Sequence, residues 1–212
     1  SNAFSIGSKK GETRWSNFEE MMAYGKANPG KLRYSSGSRN NLPHMVIAKV
    51  LQSYGVVAQN IPYKTDGDAR KDLKSGVLDF VFVNVGAYLQ DKEGFDILLV
   101  LSELPGAKAS YDGAPSIDDL NIDLGLSGLA PIGWTWWLVH KDTPDDVADV
   151  LRAAMKRAMN RDDVKEQIAR VGFVPLEWDH TQYDEIVGPV AGQLGSMTNA
   201  LAWEEEQLKK LR

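Results

Sequence analysis

The sequence predicts an α/β fold in which a mostly parallel sheet carries helices on both faces. Strand-like and helix-like segments alternate over the first half of the chain. Each change of hydrophobic period coincides with Gly, Pro, Asn or Asp, the residues that favour turns. A β-α-β-α-β order requires right-handed crossovers, which place the helices on both sides of the sheet.

Short apolar runs bounded by turn residues predict extended segments at residues 4–6, 31–35, 57–63, 78–83 and 96–102. Apolar residues at helical spacing predict helices at 17–27, 43–54 and 67–74. We expect Ser16, Asn41 and Asp66 to cap the starts of these helices, and Gly55 and Gly76 to end the second and third.

The second half of the chain is predicted to be mostly helical. Residues 105–133 are rich in Gly, Pro, Asp and Ser, which predicts a loop with one helical turn at 116–120. A strand at 136–140 follows, then helices at 144–159 and 161–171. A helical tail begins at Thr181 and is expected to break at Gly188 and Pro189.

Composition excludes several functional classes. The chain has 212 residues, a net charge of -5 and a pI near 5.3, with no Lys/Arg block, which argues against a nucleic-acid partner. The absence of Cys excludes disulfides and thiolate chemistry. The apolar run 97–101 is too short to span a bilayer. The opening Ser1-Asn2-Ala3 is typical of an expression-tag scar, so we expect any export signal to precede this start.

Three loops are predicted to meet at the carboxyl edge of the sheet, at residues 35–41, 64–66 and 84–86, where parallel sheets bind ligands. The first combines small residues with hydrogen-bond donors directly before a helix, namely Ser35, Ser36, Gly37, Ser38, Arg39, Asn40 and Asn41. The free N–H groups and the dipole of a helix start favour an anion. The same residues also suit a polar surface turn with an N-cap and a solvated arginine.

Three segments carry a family resemblance: NPGKLRYSSGSRNNLPHMVIAKVL, NIPYKTDGDARKDLKSGVLDFVFVN and DTPDDVADVLRAAMKRAMNRDDVKEQIARVGFVPL. They resemble the solute-binding receptors of the tripartite tricarboxylate transporters, the Bug family. Its pattern is a Pro-Gly-Lys lead, a strand, a Gly/Ser-rich loop ending in His at a helix start, then Val-Pro-Tyr-Lys-Gly and a Gly-x-x-Asp strand. The matching residues are Pro29, Gly30, Lys31, Tyr34, Ser36, His44, Pro62, Tyr63, Lys64, Leu73, Gly76 and Asp79.

The chain departs from this pattern at its loops. Ser38, Asn40 and Asn41 stand where the family loop usually has two glycines and a serine, and Thr65 replaces the Gly after Tyr-Lys. Asn tolerates left-handed backbone, so the turn can survive. Family members have two lobes, and much of the first lobe precedes the start of this chain.

The resemblance implies a periplasmic-binding-protein-like fold with one complete lobe and part of a second. Residues 1–15 would be the tag scar and an entry or crossover segment, and residues 16–133 the ligand-binding lobe. Residues 134–212 would form a crossover strand and the C-terminal helices of the other lobe.

The implied function is non-enzymatic capture of a small organic acid, in the periplasm, for the membrane subunits of a transporter. The carboxylate would lie on residues 35–41, with Tyr63, Lys64 and Asn84 lining the same edge. His44 is included among the ligand-binding candidates, although its place at the helix start favours a structural role. Trp134, Trp136 and Trp137 could wall the cleft, but we favour packing where the chain crosses between lobes. Packing, a solvated charge and a strand-end turn are the alternative roles of Tyr63, Lys64 and Asn84.

Two other functions stay open. Ser36 or Ser38 with His44 and Asp66 could form a hydrolase triad, but the G-x-S-x-G elbow is missing. A ligand-sensing domain of a regulator has similar architecture. No cofactor or metal is expected, because no P-loop, dinucleotide fingerprint or His/Cys ligand spacing occurs in the sequence.

The tail carries an apolar stripe of residues at helical spacing, namely Val187, Val190, Leu194, Met197 and Leu201. Such a stripe needs a partner. Either the tail folds back on its own lobe, or two chains form a homodimer through the C-terminal helices, the outcome that we favour at this point. Ligand affinity should be weak beside that of a closed two-lobed receptor.

Overall fold

The computed structural model describes residues 4–102, 105–122, 136–171, 173, 175 and 178–211. Its sheet contains five strands. They are β1 (Phe4–Lys9), β2 (Leu32–Ser35), β3 (Ala58–Asn60), β4 (Phe80–Asn84) and β5 (Phe95–Val100). Their order across the sheet is β3-β2-β4-β1-β5.

The sheet is mostly parallel, as predicted. β2 pairs in parallel with β3 and β4, whereas β1 pairs antiparallel with β4 and β5. Four strands therefore run in one direction, and β1 is the exception. β1 is longer than the predicted segment 4–6 and lies inside the sheet.

The helices are α1 (Phe18–Ala27), α2 (Leu42–Tyr54), α3 (Asp66–Lys74), α4 (Val85–Gln90), α5 (Pro105–Ser110), α6 (Asp145–Met159), α7 (Asp162–Arg170) and α8 (Tyr183–Lys210). Short 3-10 turns lie at Lys92–Gly94 and His180–Gln182. The helices sit on both faces of the sheet. One core cluster contains residues of α1, α2 and α8, and the other contains residues of α3, α4 and α5. This arrangement confirms the predicted layers.

Four local predictions are wrong. Helices α4 and α5 occupy segments predicted as loop, and α8 continues through Gly188 and Pro189. Residues 136–140 form no strand, because no described strand pairs with them. Residues 123–135, which include Trp134, lie outside the described part of the chain.

Two predicted N-caps are each displaced by one residue. Asn17, not Ser16, caps α1 by accepting a hydrogen bond from the Glu20 N–H, while Ser16 bonds to the Glu20 carboxylate. Thr65, not Asp66, caps α3. Neighbouring polar residues compete for a cap, and the backbone direction of the incoming chain decides between them.

The tail folds back on its own lobe. Helix α8 packs against α2 and buries Met197 and Ala200, and Leu194 packs against the same core. Of the two outcomes expected for the apolar stripe, the structure shows this one over residues 194–201. A homodimer stays a prediction.

Helices α6 and α7 contribute little to the core. Ala148 is the buried residue of α6, and α7 has none. Val147, Val150 and Leu151 of α6 are exposed. Within the described residues, no helix combines the length and apolarity needed to cross a membrane.

Candidate functional site

The loop between β2 and α2 is held in a turn that uses two left-handed residues. Gly37 has a φ of 82° and Asn40 a φ of 60°. Asn is one of the few residues besides Gly that adopt this conformation at low cost. Asn40 therefore preserves the turn where the family loop usually carries glycine.

The Asn41 side chain forms one hydrogen bond to helix α2 and another to the loop. Its Oδ1 accepts a hydrogen bond from the His44 N–H at 2.9 Å, which confirms it as the N-cap of α2. Its Nδ2 donates to the Ser36 carbonyl, also at 2.9 Å. Pro43 lies in the first turn of the helix, where its missing N–H costs little.

His44 supports the loop from inside the protein. It is buried, and its Nδ1 accepts a hydrogen bond from the Asn40 N–H at 3.0 Å. A ring nitrogen that accepts carries no proton, so Nε2 carries it and donates to Glu204 Oε2 at 2.9 Å. The imidazole therefore joins the loop to α8.

The carboxylate of Glu204 holds a second buried partner. The Tyr34 hydroxyl donates to Glu204 Oε1 at 2.7 Å. Burial, and next the charge of Glu204, raise the pKa of Tyr34 well above its usual range. The phenol thus stays protonated as a donor, and both oxygens of the buried Glu204 carboxylate are satisfied.

Ser35 and Ser36 serve as supports. Both are buried. Ser35 Oγ accepts a hydrogen bond from the Gly37 N–H at 3.2 Å, and Ser36 Oγ accepts one from Asn60 Nδ2 at 2.9 Å. Their hydroxyls face the protein, whereas Ser38, Arg39 and Asn40 are exposed.

The remaining predicted site residues, Tyr63, Lys64 and Asn84, differ in how they relate to the loop between β2 and α2. Tyr63 joins the first loop through its backbone N–H, which donates to the Gly37 carbonyl at 3.0 Å. Its hydroxyl instead bonds to Asp72, and burial, followed by this contact, raises the pKa of Tyr63 to about 12. Lys64 is exposed, and Asn84 caps α4 by accepting from the Ala87 N–H.

Little space remains between the first loop and the lobe itself. The pocket lined by Ser35, Gly37, Asp66 and Arg70 has a volume of about 10 Å³, which is close to the minimum for one water molecule. This pocket leaves no room for an organic acid.

A much larger groove lies beside the edge strand. It has a volume of about 650 Å³ and is named here the β3 groove. Its lining residues are Arg14, Tyr24, Pro29, Gly30, Lys31, Arg33, Arg39, Gln59, Asn60, Ile61, Asp79, Leu208 and Leu211. Of these, sequence reasoning selected only Arg39 as a binding residue.

Asp79 organises the charges of the β3 groove. It is buried, accepts from Arg14 Nη1 at 2.7 Å and from the Arg33 backbone N–H at 2.7 Å. Arg14 also binds Glu12 at 2.7 Å. In the described part of the chain, no three His, Cys, Asp or Glu side chains are grouped as metal ligands would be.

Comparison with known proteins decides the family. The family model described as "Tripartite tricarboxylate transporter family receptor" matches residues 10–202. The chain belongs to this family. A curated member from Cupriavidus necator, described as "UPF0065 protein in gbd 5'region", is 27% identical over 165 residues, which are 78% of this chain and 49% of that protein. The chain thus spans about half the length of this relative.

Solved structures of the receptor family share the fold. The periplasmic binding protein BugD superposes with a TM-score of 0.70 at 18% identity, over 94% of this chain and 66% of its own. MatC from Rhodopseudomonas palustris, solved with bound malate, gives a TM-score of 0.65 at 15% identity, over 94% of this chain and 66% of its own. The family and the fold are those of solute-binding receptors.

Proposed function

We propose that this chain is the ligand-binding part of a periplasmic receptor that captures a small carboxylate-bearing organic acid for a tripartite tricarboxylate-type transporter, without chemical turnover. One observation carries the proposal. The exposed residues Ser38, Arg39 and Asn40 lie at the start of α2, on a loop fixed by Asn41 and His44. A preorganised loop binds a ligand without the entropic cost of ordering itself.

The chemistry of this loop suits a carboxylate. Helix α2 has 13 residues, and its dipole places partial positive charge at the loop. Backbone N–H groups and the Ser38 hydroxyl donate hydrogen bonds, and the Arg39 guanidinium can grip both carboxylate oxygens. Lys64 adds a second positive charge from the neighbouring loop. Ser35, Ser36, Gly37 and His44 hold the loop in place.

Tyr63 and Asn84 have supporting roles in this proposal. The Tyr63 backbone fixes Gly37, while the Asn84 side chain is engaged at the start of α4. Malate, found in one relative of the same fold, is the first acid to test.

In a two-lobed receptor, the other lobe would supply the second wall of the site. We propose that residues 16–133 form the ligand-binding lobe, to which β1 and the docked end of α8 are added, and that residues 134–212 otherwise contribute helices to the other lobe. The exposed apolar residues of α6, Val147, Val150 and Leu151, support this division because a second sheet would cover them.

The proposed partners are the organic acid and the transporter's membrane subunits, not nucleic acid. A homodimer through the C-terminal helices is checked by light scattering over a range of concentrations. Mass that rises with concentration supports it. A constant monomer mass shows that packing of α8 on α2 is sufficient to bury the apolar stripe of the tail, without a second chain.

The receptor function is tested by isothermal titration calorimetry with malate, citrate and adipate. We expect weak binding, with a Kd of roughly 0.1–1 mM, because one lobe buries only part of a ligand. Arg39→Gln should weaken binding by about tenfold. Arg152→Gln, an equivalent change on exposed α6, is the control and should have no effect.

Two results would contradict the receptor proposal. One is the absence of binding for all three acids. The other is turnover of p-nitrophenyl acetate that is lost in Ser36→Ala, which would favour the hydrolase alternative.

A further inference from the structure

The β3 groove lies between the sheet edge and the last turns of α8. Leu208 and Leu211 form its α8 side. Gly30 permits this approach, because a Cβ at that position would lie 2.7 Å from Leu211 Cδ1. The groove is therefore a consequence of how α8 docks, and its volume of about 650 Å³ is in the usual range for a small-molecule site.

Positive charge dominates the lining. The lining contains four cationic side chains, Arg14, Lys31, Arg33 and Arg39, and one carboxylate, Asp79. Asp79 and Glu12 neutralise Arg14, and Arg33 Nε lies 3.8 Å from Asp79. Among the described residues, the exposed side chains of Lys31 and Arg39 form no ion pair.

These two cations lie toward opposite ends of the groove. Lys31 directly precedes β2, and Arg39 lies in the loop that follows it. The four-residue strand between them is about 13 Å long. Flexible Lys and Arg side chains can each reach inward over this span, and Tyr24, Ile61 and Leu208 offer apolar surface between them.

The wall of the groove also contains an unsatisfied acceptor. Asn60 is buried and lines the groove, and its Oδ1 has no hydrogen-bond partner among the described residues. Buried polar atoms are nearly always paired. This oxygen can be satisfied only by a donor such as water or a hydroxyl group, so it plays no part in holding a carboxylate.

We propose that the β3 groove is a second anion-binding site, which takes a linear organic dianion with one carboxylate at Lys31 and the other at Arg39. The ligand's methylene chain lies on the apolar surface between them. This inference goes beyond the proposed receptor function, which uses Arg39 and Lys64 but not Lys31. Lys31 therefore reports on the groove site, and Lys64 reports on the site at the start of α2.

We expect the charge of Glu205 on α8 to affect the Arg39 end of the groove. It forms an ion pair with Lys209, and this contact, together with the more distant charge of Arg39, holds the pKa of Glu205 below its ordinary value. A carboxylate ligand at Arg39 therefore experiences repulsion from Glu205. Removing the Glu205 charge should therefore strengthen binding, whereas removing the Lys31 charge should weaken it.

The test measures succinate and suberate binding by calorimetry. Suberate should bind more tightly, because only the longer chain reaches both cations. Lys31→Gln should weaken suberate binding by about tenfold, and Glu205→Gln should strengthen it by about threefold. Lys71→Gln, an exposed lysine on α3, is the matched control. Binding should fall as salt rises.

Each failure has a distinct meaning. Unchanged suberate binding in Lys31→Gln, together with a loss in Lys64→Gln, overturns the groove site and leaves the loop site intact. A loss in Lys31→Gln alone supports the groove and counts against the loop. Equal binding of succinate and suberate, or binding of a poly-glutamate peptide without binding of suberate, also overturns the proposal.

Discussion

Glu204 connects the far end of the chain to the loop at the start of α2. Its carboxylate accepts hydrogen bonds from Tyr34 and His44, 170 and 160 residues away in sequence. His44 in turn fixes the Asn40 N–H. The loop's shape therefore depends on a residue that does not face the ligand.

Replacing Glu204 with Gln should destabilise the protein. The amide of Gln can accept at one oxygen only, so it presents an N–H donor to one of the two donors, Tyr34 or His44. A buried network broken in this way costs about 2–3 kcal/mol of unfolding free energy. Urea unfolding followed by circular dichroism measures it.

Glu206→Gln is the control on the same helix. Glu206 is exposed and pairs with Lys210, so its loss should cost less than about 0.5 kcal/mol. Equal costs for Glu204→Gln and Glu206→Gln would show that the buried network contributes no stability.

Comparing variants of the two asparagine N-caps distinguishes an effect on protein stability from an effect on ligand affinity. Asn41→Ala and Asn17→Ala each remove one N-cap, so each should cost about 1 kcal/mol. Only Asn41 also ties the Ser36 carbonyl. Malate affinity should thus fall in Asn41→Ala and stay unchanged in Asn17→Ala, and an equal effect of both on affinity would argue against the loop site.

Local signals made some residues predictable. Asn41 and Gly55 follow from the chain next to them, since a cap depends on a few neighbouring backbone groups. Glu204 could not be found in this way, and Asp79 stands out only through the family pattern. Their partners come from distant segments, and one acidic residue in a helical tail looks like any other.

At the scale of elements, a charged clasp ties the segment after β1 to the sheet. Arg14 joins Glu12 to Asp79, and Asp79 binds the β2 backbone at Arg33. The hydrogen bond from Arg14 is the largest cause that lowers the pKa of Glu12 to about 2. The folded state thus binds this proton less readily than the unfolded chain.

The clasp should make stability depend on pH. Because the folded pKa of Glu12 lies below its ordinary value of 4.5, its contribution is complete above about pH 4.5 and is lost as the pH falls toward 2. Glu12→Gln should cost about 1–3 kcal/mol at pH 7 and almost nothing near pH 2. Urea unfolding across this range measures the difference.

Glu19→Gln, an exposed carboxylate on α1, is the control for this pH series. A cost for Glu12→Gln that is the same at pH 7 and pH 2.5 would show that the Arg14 contact is not the origin of the effect.

The elements themselves were largely predictable, because alternating hydrophobic periods with Gly and Asn at their ends identify β2 to α3 and both α6 and α7. β1 was only partly predictable, since residues 7–9 are Gly, Ser and Lys and have no strand signal. The continuity of α8 contradicts the local effect of Gly188 and Pro189. Packing against α2 stabilises the helix on the C-terminal side of these residues.

At the scale of the whole molecule, the two proposed anion-binding surfaces share Arg39. The outer side of the loop is open, and the β3 groove continues from it toward Lys31. The net charge of -5 does not oppose this arrangement, because a local cluster of donors governs a bound carboxylate at short range.

The central claim is that the loop at the start of α2 binds a carboxylate. A ¹H–¹⁵N NMR titration with malate tests it most directly, because it reports each backbone amide separately. We predict that the amides of Ser38, Arg39, Asn40 and Lys64 shift in a saturable way while those of α6 and α7 stay unchanged. Shifts confined to α6 and α7, or no shift of the loop amides at saturating malate, would contradict the account.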